Sequence, residues 1–243
     1  MISTSETGHA KNIANFQRLI EFVTDYGTAY NPSKASLKLP ELLTLKTESD
    51  SALLDVIDKN TVYNNSVNQR VSAFADIKPL ATRLVNALQT TEAGAETIKD
   101  AKGFNRKIQG KRTAAPQTPT DPNEPVPNTI SSSQLSYDQL IQHFTGLVSV
   151  LRYEVSYAPN EVDLKIASLD VVIEDMVEKN AEVARSYTKI SSARTVRDQT
   201  LYQRQDSLLE TALEIKKYIK SVFGTTSPQY EQVKGILIKR AKK

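Results

Sequence analysis

One segment, Thr113–Ser133, reads TAAPQTPTDPNEPVPNTISSS, holds half of the chain's 10 prolines, and divides the sequence into two stretches that read alike. Proline lacks an N–H and has a fixed φ, so neither a helix nor a sheet ladder can run through such a stretch. The expectation is an extended linker that reaches on the order of 60 Å at ~3.1 Å per residue. The division predicted is a first repeat over 1–112, a linker over 113–135 and a second repeat over 136–243.

The likeness of the two stretches is ordered. Asn15–Phe22 resembles Ser136–His143, Tyr30–Leu39 resembles Tyr157–Ile166, and Glu96–Lys99 resembles Glu231–Lys234. Matches that recur in one order point to duplication. Each copy then reads as the same series of helices. A first helix is expected over about Lys11–Ala29 and Tyr137–Val155, stopped by Tyr30-Asn-Pro32 and Tyr157-Ala-Pro159, because the residue before proline is pushed out of the helical region. Ser36 and Asp163 then stand at matched places as N-caps. The long second helices are expected over Leu37–Ala75 and Leu164–Tyr202, roughly 60 Å each at 1.5 Å per residue. Third helices follow over Pro79–Gln89 and Ser207–Phe223, and short fourth helices follow caps at Thr91 and Ser227, the latter with Pro228 at the favoured first position.

A three-four spacing marks the packed stripe of each long helix. In the second copy it is mostly apolar, through Ile166, Leu169, Ile173, Met176, Asn180, Val183, Tyr187 and Ile190. The first copy places Lys46, Ser49 and Asn60 where Ile173, Met176 and Tyr187 stand, so its seam is the more polar one and the first place to look for a partner. Arg70 and Arg197 extend the two stripes at matched positions. A half-buried guanidinium there would hold a structural ion pair or, less readily, bind an anion or a partner's carboxylate. The fold class expected is all-α: an elongated antiparallel helical bundle built from two tandem repeats around long central helices.

Composition supports helices and excludes much chemistry. Glycine is scarce and tryptophan absent. With no cysteine there is no disulfide, thiolate metal site or thiol nucleophile. The two histidines, His9 and His143, have no ligand-spaced partners, so a zinc or di-iron centre is not expected, and His143 reads as a partly buried helix residue with one satisfied nitrogen. No phosphate-cradling glycine motif occurs; Gly27, Gly110 and Gly224 stand at helix ends. Glu174, Asp175 and Glu178 read as a solvated face rather than an acid–base pair. No cofactor and no enzymatic activity are expected.

The opening residues Met1–Ala10 lack the basic start and apolar run of a signal peptide, and no stretch approaches the ~20 apolar residues of a membrane span. The expected location is the cytoplasm.

Each copy ends basic: Lys99, Lys102, Arg106, Lys107, Lys111 and Arg112 in the first, Lys234, Lys239, Arg240, Lys242 and Lys243 in the second. Such clusters attract phosphate backbones or anionic membranes, although Phe104 is the one aromatic side chain interleaved for base stacking and the net charge is only +3. Basic helix ends also complement the helix dipole.

Through Tyr30–Ser36, Glu96–Lys102 with Arg106–Arg112, Tyr157–Asp163 and Ser221–Tyr230, the chain resembles a group of uncharacterised duplicated bacterial proteins, mostly from Bacteroidota. The resemblance implies helices and carries no activity to any residue. The expected role is a non-catalytic scaffold or interaction module that binds a protein partner or a second copy, with an anionic-surface binder as the alternative. A helical pore-forming component would need a longer apolar hairpin than this sequence has.

Overall fold

The computed structural model describes residues 8–110 and 135–240. Residues 113–134 of the proline-rich linker, with Lys111, Arg112, Lys242 and Lys243, lie outside the described residues. Among these residues the chain is all-α, without strands. The helices are α1 (His9–Asp25), α2 (Leu39–Phe74), α3 (Ile77–Gln89), α4 (Ala95–Gln109), α5 (Tyr137–Tyr153), α6 (Ile166–Asp198), α7 (Leu208–Phe223) and α8 (Pro228–Lys234).

Local chemistry sets most of the boundaries. Ser136, Ser207 and Ser227 cap α5, α7 and α8, each side chain accepting the backbone N–H three residues on, at 3.3, 3.4 and 3.2 Å. Pro228 opens α8 as expected. Gly110 ends α4 in the left-handed region at φ 72°, where a β-carbon would also stand 2.8 Å from the Leu135 side chain.

Several boundaries differ from expectation. The long helices begin two residues later than their apolar pattern suggests, because Ala35–Leu37 and Val162–Leu164 form single 3₁₀ turns. Ser36 and Asp163 are therefore not their caps. Ser36 donates its hydroxyl to Asp206, and Asp163 pairs with Arg83 at 2.5 Å, so each ties its loop to a neighbouring element. The second long helix closes in a π turn over Gln199–Gln203. Thr91 ends α3 by donating to the Leu88 carbonyl, and α4 starts behind Gly94 instead.

Two compact units form, and they follow a different division from the sequence halves. Of the described residues, those up to Tyr63 and from Ser186 onward make a discontinuous unit, and those from Asn64 to Arg185 make a continuous one. The discontinuous unit buries Ile13, Phe16, Leu19 and Leu42 with Leu201, Leu208, Ile215 and Val233. The continuous unit buries Phe74, Leu84, Leu88 and Ile108 with Phe144, Leu147, Leu169 and Met176. Every such core draws on both halves of the sequence.

Matched positions do matching work in the two units. The hydroxyls of Tyr30 and Tyr157 donate to the carbonyls of Leu37 and Leu164, at 2.9 and 3.0 Å, closing the loop that precedes each long helix. Burial raises both phenols, Tyr157 to about 12 and Tyr30 further. Ile77, Ala81, Leu84 and Leu88 of α3 are buried, as are Leu208, Ala212, Ile215 and Ile219 at the same spacing in α7. Beside that set, α7 places Lys216 where α3 has the buried Val85.

Candidate interaction surfaces

The polar seam of α2 is a packed face. Ser49 is 0% exposed, as is Met176 at the matched position of α6. The Ser49 hydroxyl is satisfied within its own helix by the Leu45 carbonyl at 2.7 Å. Lys46 pairs with Asp50 one turn on, and Asn60 is half-buried. Accessible apolar side chains of α2 lie elsewhere: Leu43, Leu54 and Ile57 are 47%, 58% and 52% exposed, and Val62 and Val71 are exposed further along.

The two arginines have different partners. Arg197 pairs with the adjacent Asp198 at 2.7 Å. Arg70 has no carboxylate partner among the described residues: it lies over the Tyr137 ring at 3.9 Å and donates to Asn180 Oδ1 at 3.1 Å. Asn180 in turn donates to Asp138 at 2.8 Å, so the guanidinium is linked to that carboxylate through an amide. The Arg70 Nε is buried without a partner. Stacking on an aromatic face and a planar fork suit arginine rather than lysine here.

The basic residues divide between the units. Lys99, Lys102 and Arg106 lie along one face of α4 and, with Ala95, Ile98 and Gly103, line a shallow depression of about 420 Å³. Lys99 also pairs with Glu96 at 3.0 Å, both side chains being well exposed, a contact worth little in water. Lys107 lies over the Phe104 ring at 5.6 Å. In the discontinuous unit Lys234 pairs with Glu231, and Lys239 and Arg240 follow outside any helix beyond α8. No group of three or more metal-ligating side chains occurs among the described residues. None of their helices is long and apolar enough to cross a membrane.

His9 is bonded and His143 is buried, each beyond what its sequence context indicates. His9 Nδ1 lies 2.9 Å from the Tyr202 hydroxyl, which accepts at the same distance from Asn12. His143 is 5% exposed, and its Nε2 has no partner. Burial, and then the Lys107 charge, push the His143 imidazole below its ordinary 6.5; burial and then Arg197 do the same for His9.

A base whose pKa is lower in the folded than in the unfolded chain binds fewer protons when folded. Stability from these two groups is therefore complete above 6.5 and is lost as pH falls through the folded values. Phe22 stands at the position matching His143. The His143→Phe variant is expected to gain about 1 kcal/mol by removing an unsatisfied buried nitrogen and to flatten the acid slope. Urea melts of both proteins between pH 5 and 7.5 measure this, and an unchanged slope contradicts it.

Sequence reasoning missed one polar group altogether. Asn12 and Asn15 are 3% and 8% exposed on α1, and both bind the backbone beyond α8. Asparagine on a helix has no spacing signature, and the segment it holds is distant in sequence. Comparison with protein families, curated proteins and solved structures finds no match to the chain.

Proposed function

We propose that this chain is a non-catalytic helical scaffold whose long helices present an association face. The observation that carries this reading is the outer face of α2 in the discontinuous unit. Leu54 and Ile57, three residues apart, are neighbours on that face, and Leu43 lies about three turns before Leu54, all close to half exposed or more. The inner face of the same helix is already committed to the core through Leu42, Leu45 and Ser49. Single exposed leucines are unremarkable on a protein surface; an aligned set flanking a buried face has the form of an amphipathic association surface.

The test is sedimentation equilibrium at rising concentration with the Leu54→Lys/Ile57→Lys variant beside the parent. Self-association is expected in the parent and lost in the variant, with the thermal melt unchanged because both side chains face water. A parent that stays monomeric, or a variant that associates equally, removes this reading.

A second reading is favoured by the α4 depression, where three cations recur over two turns beside an apolar floor. It is the arrangement expected of a surface for phosphate-bearing partners, whose binding would weaken steeply between 50 and 200 mM salt. Salt-insensitive or absent binding to duplex DNA and to anionic vesicles removes it.

A further inference from the structure

Three side chains from two helices converge on the main chain of one non-helical segment, residues 236–240, whose burial alternates from residue to residue over 236–239. Asn12 grips a single residue at two points: its Nδ2 donates to the Lys239 carbonyl at 2.6 Å, and its Oδ1 accepts from the Lys239 amide at 3.2 Å. Asn15 Nδ2 donates to the Leu237 carbonyl at 2.7 Å. From α7, Lys216 Nζ donates to the Ile236 carbonyl, and burial lowers this ammonium below its ordinary value. The Tyr202 hydroxyl accepts from the same Asn12 amide and fixes its orientation.

The geometry has a simple periodicity. Asn12 and Asn15 are separated by about 4.5 Å along the helix axis, and alternate residues of an extended chain by about 6.6 Å. Two amides on one helix face can therefore follow alternate residues of a strand with modest adjustment by their side chains. The other alternate residues enter the core: Ile236 is 4% and Ile238 9% exposed, whereas Leu237 is 47% exposed. Hydrogen bonds to main-chain atoms do not depend on which side chain the bound residue carries, so selectivity resides in the two isoleucine positions.

This arrangement has no equivalent among the described residues of the continuous unit. There Val85 replaces Lys216, and α4 stays helical through Ala101, the residue that aligns with Ile236. The polar groups that read the segment and the non-helical segment itself occur together.

We propose that the surface of α1, α7 and Tyr202 is a binding site for an extended segment of a partner protein, with aliphatic residues two apart followed by a basic one, and that residues 236–240 occupy it as an intramolecular ligand. The seated segment defines the partner's chemistry. The proposal is independent of the α2 face, and its test uses other residues.

The probe is a fluorescent peptide with the sequence of residues 235–243, Gly-Ile-Leu-Ile-Lys-Arg-Ala-Lys-Lys. The full chain carrying Ile236→Asp/Ile238→Asp vacates the site. It is expected to bind the peptide at least about 10-fold more tightly than the parent, in which the tethered segment competes at an effective concentration on the order of millimolar. Adding Asn12→Leu/Asn15→Leu is expected to weaken binding at least about 10-fold again. Equal binding of a scrambled peptide, no gain in a vacated chain whose helical circular dichroism is intact, or indifference to the asparagine changes overturns the proposal.

If the vacated chain does not fold, the parent answers the question. A peptide with a photoreactive benzoylphenylalanine at its Leu237 position, in excess, is expected to label α1. Labelling elsewhere, or none, overturns the site. Dimerisation of the parent that disappears with Asn12→Leu/Asn15→Leu assigns the groove to exchange between copies and overturns the partner.

Discussion

Neither half of this chain is expected to fold as a monomer. Cut within the 113–135 segment, the first half retains α1 to α4 but loses Leu201, Leu208, Ile215 and Val233 from one core and Phe144, Leu147, Leu169 and Met176 from the other. The second half loses the complementary sets. Each buried aliphatic or aromatic side chain contributes roughly 1.5–3 kcal/mol, against a total stability of about 5–15 kcal/mol for a typical domain, so removal of half of each core exceeds what either unit can lose. Expressed separately, the halves should lack a cooperative urea transition as monomers. Co-expressed, they should co-purify one to one and recover the helical signal of the intact chain. A cooperatively folding monomer of either half contradicts the division of the two cores.

The second large effect is a contrast between matched positions. Met176 and Ser49 are both 0% exposed. Met176 belongs to the core of the continuous unit, with Leu169 and Phe144, and Met176→Ala should cost about 2–5 kcal/mol through lost burial and the cavity left behind. Ser49 bonds only to Leu45 of its own helix among the described residues, and Ser49→Ala should change stability by less than about 1 kcal/mol, because a serine-to-carbonyl bond within a helix adds little. Equilibrium urea denaturation of both variants, with unchanged m-values, measures the contrast. Equal losses would mean that the serine is as well packed as the methionine. This comparison also tests whether the polar seam of α2 reflects looser packing, as its composition suggests, or a small residue fitted to a close approach.

Much of the helical content was legible because the spacing of Phe16, Leu19, Ile20 and Val23, or of Ile166, Leu169, Ile173 and Met176, reports which side of a helix is apolar. The same spacing does not report which helix covers that side. Hence the stripes were visible while their assignment to cores that mix the two sequence halves was not. Helix starts failed where two candidate caps competed: Thr91 and Gly94 both precede α4, and the threonine is used to end the preceding helix. Arg70 shows the limit for charge. Its position suggested an ion pair, but the residue facing it is Asn180, and an aromatic ring takes the other face. Asn12 and Asn15 were illegible for a different reason, since the groups they bind are main-chain atoms that every sequence has.

The discontinuous unit also sets the order in which the molecule can be completed during synthesis. Asn64–Arg185 emerges as one uninterrupted run, so its core can close while the rest is still being made. Leu42 and Leu45 must wait for Leu208 and Ile215. At about 5–20 residues per second, that delay is on the order of 10–30 s. For that interval Phe16, Leu19 and Ile20 have no partners from α7, and they form the newborn chain's main opportunity for wrong contacts. A nascent chain stalled after Arg185 should accordingly be protease-resistant in its later part and open to chaperones in its earlier part.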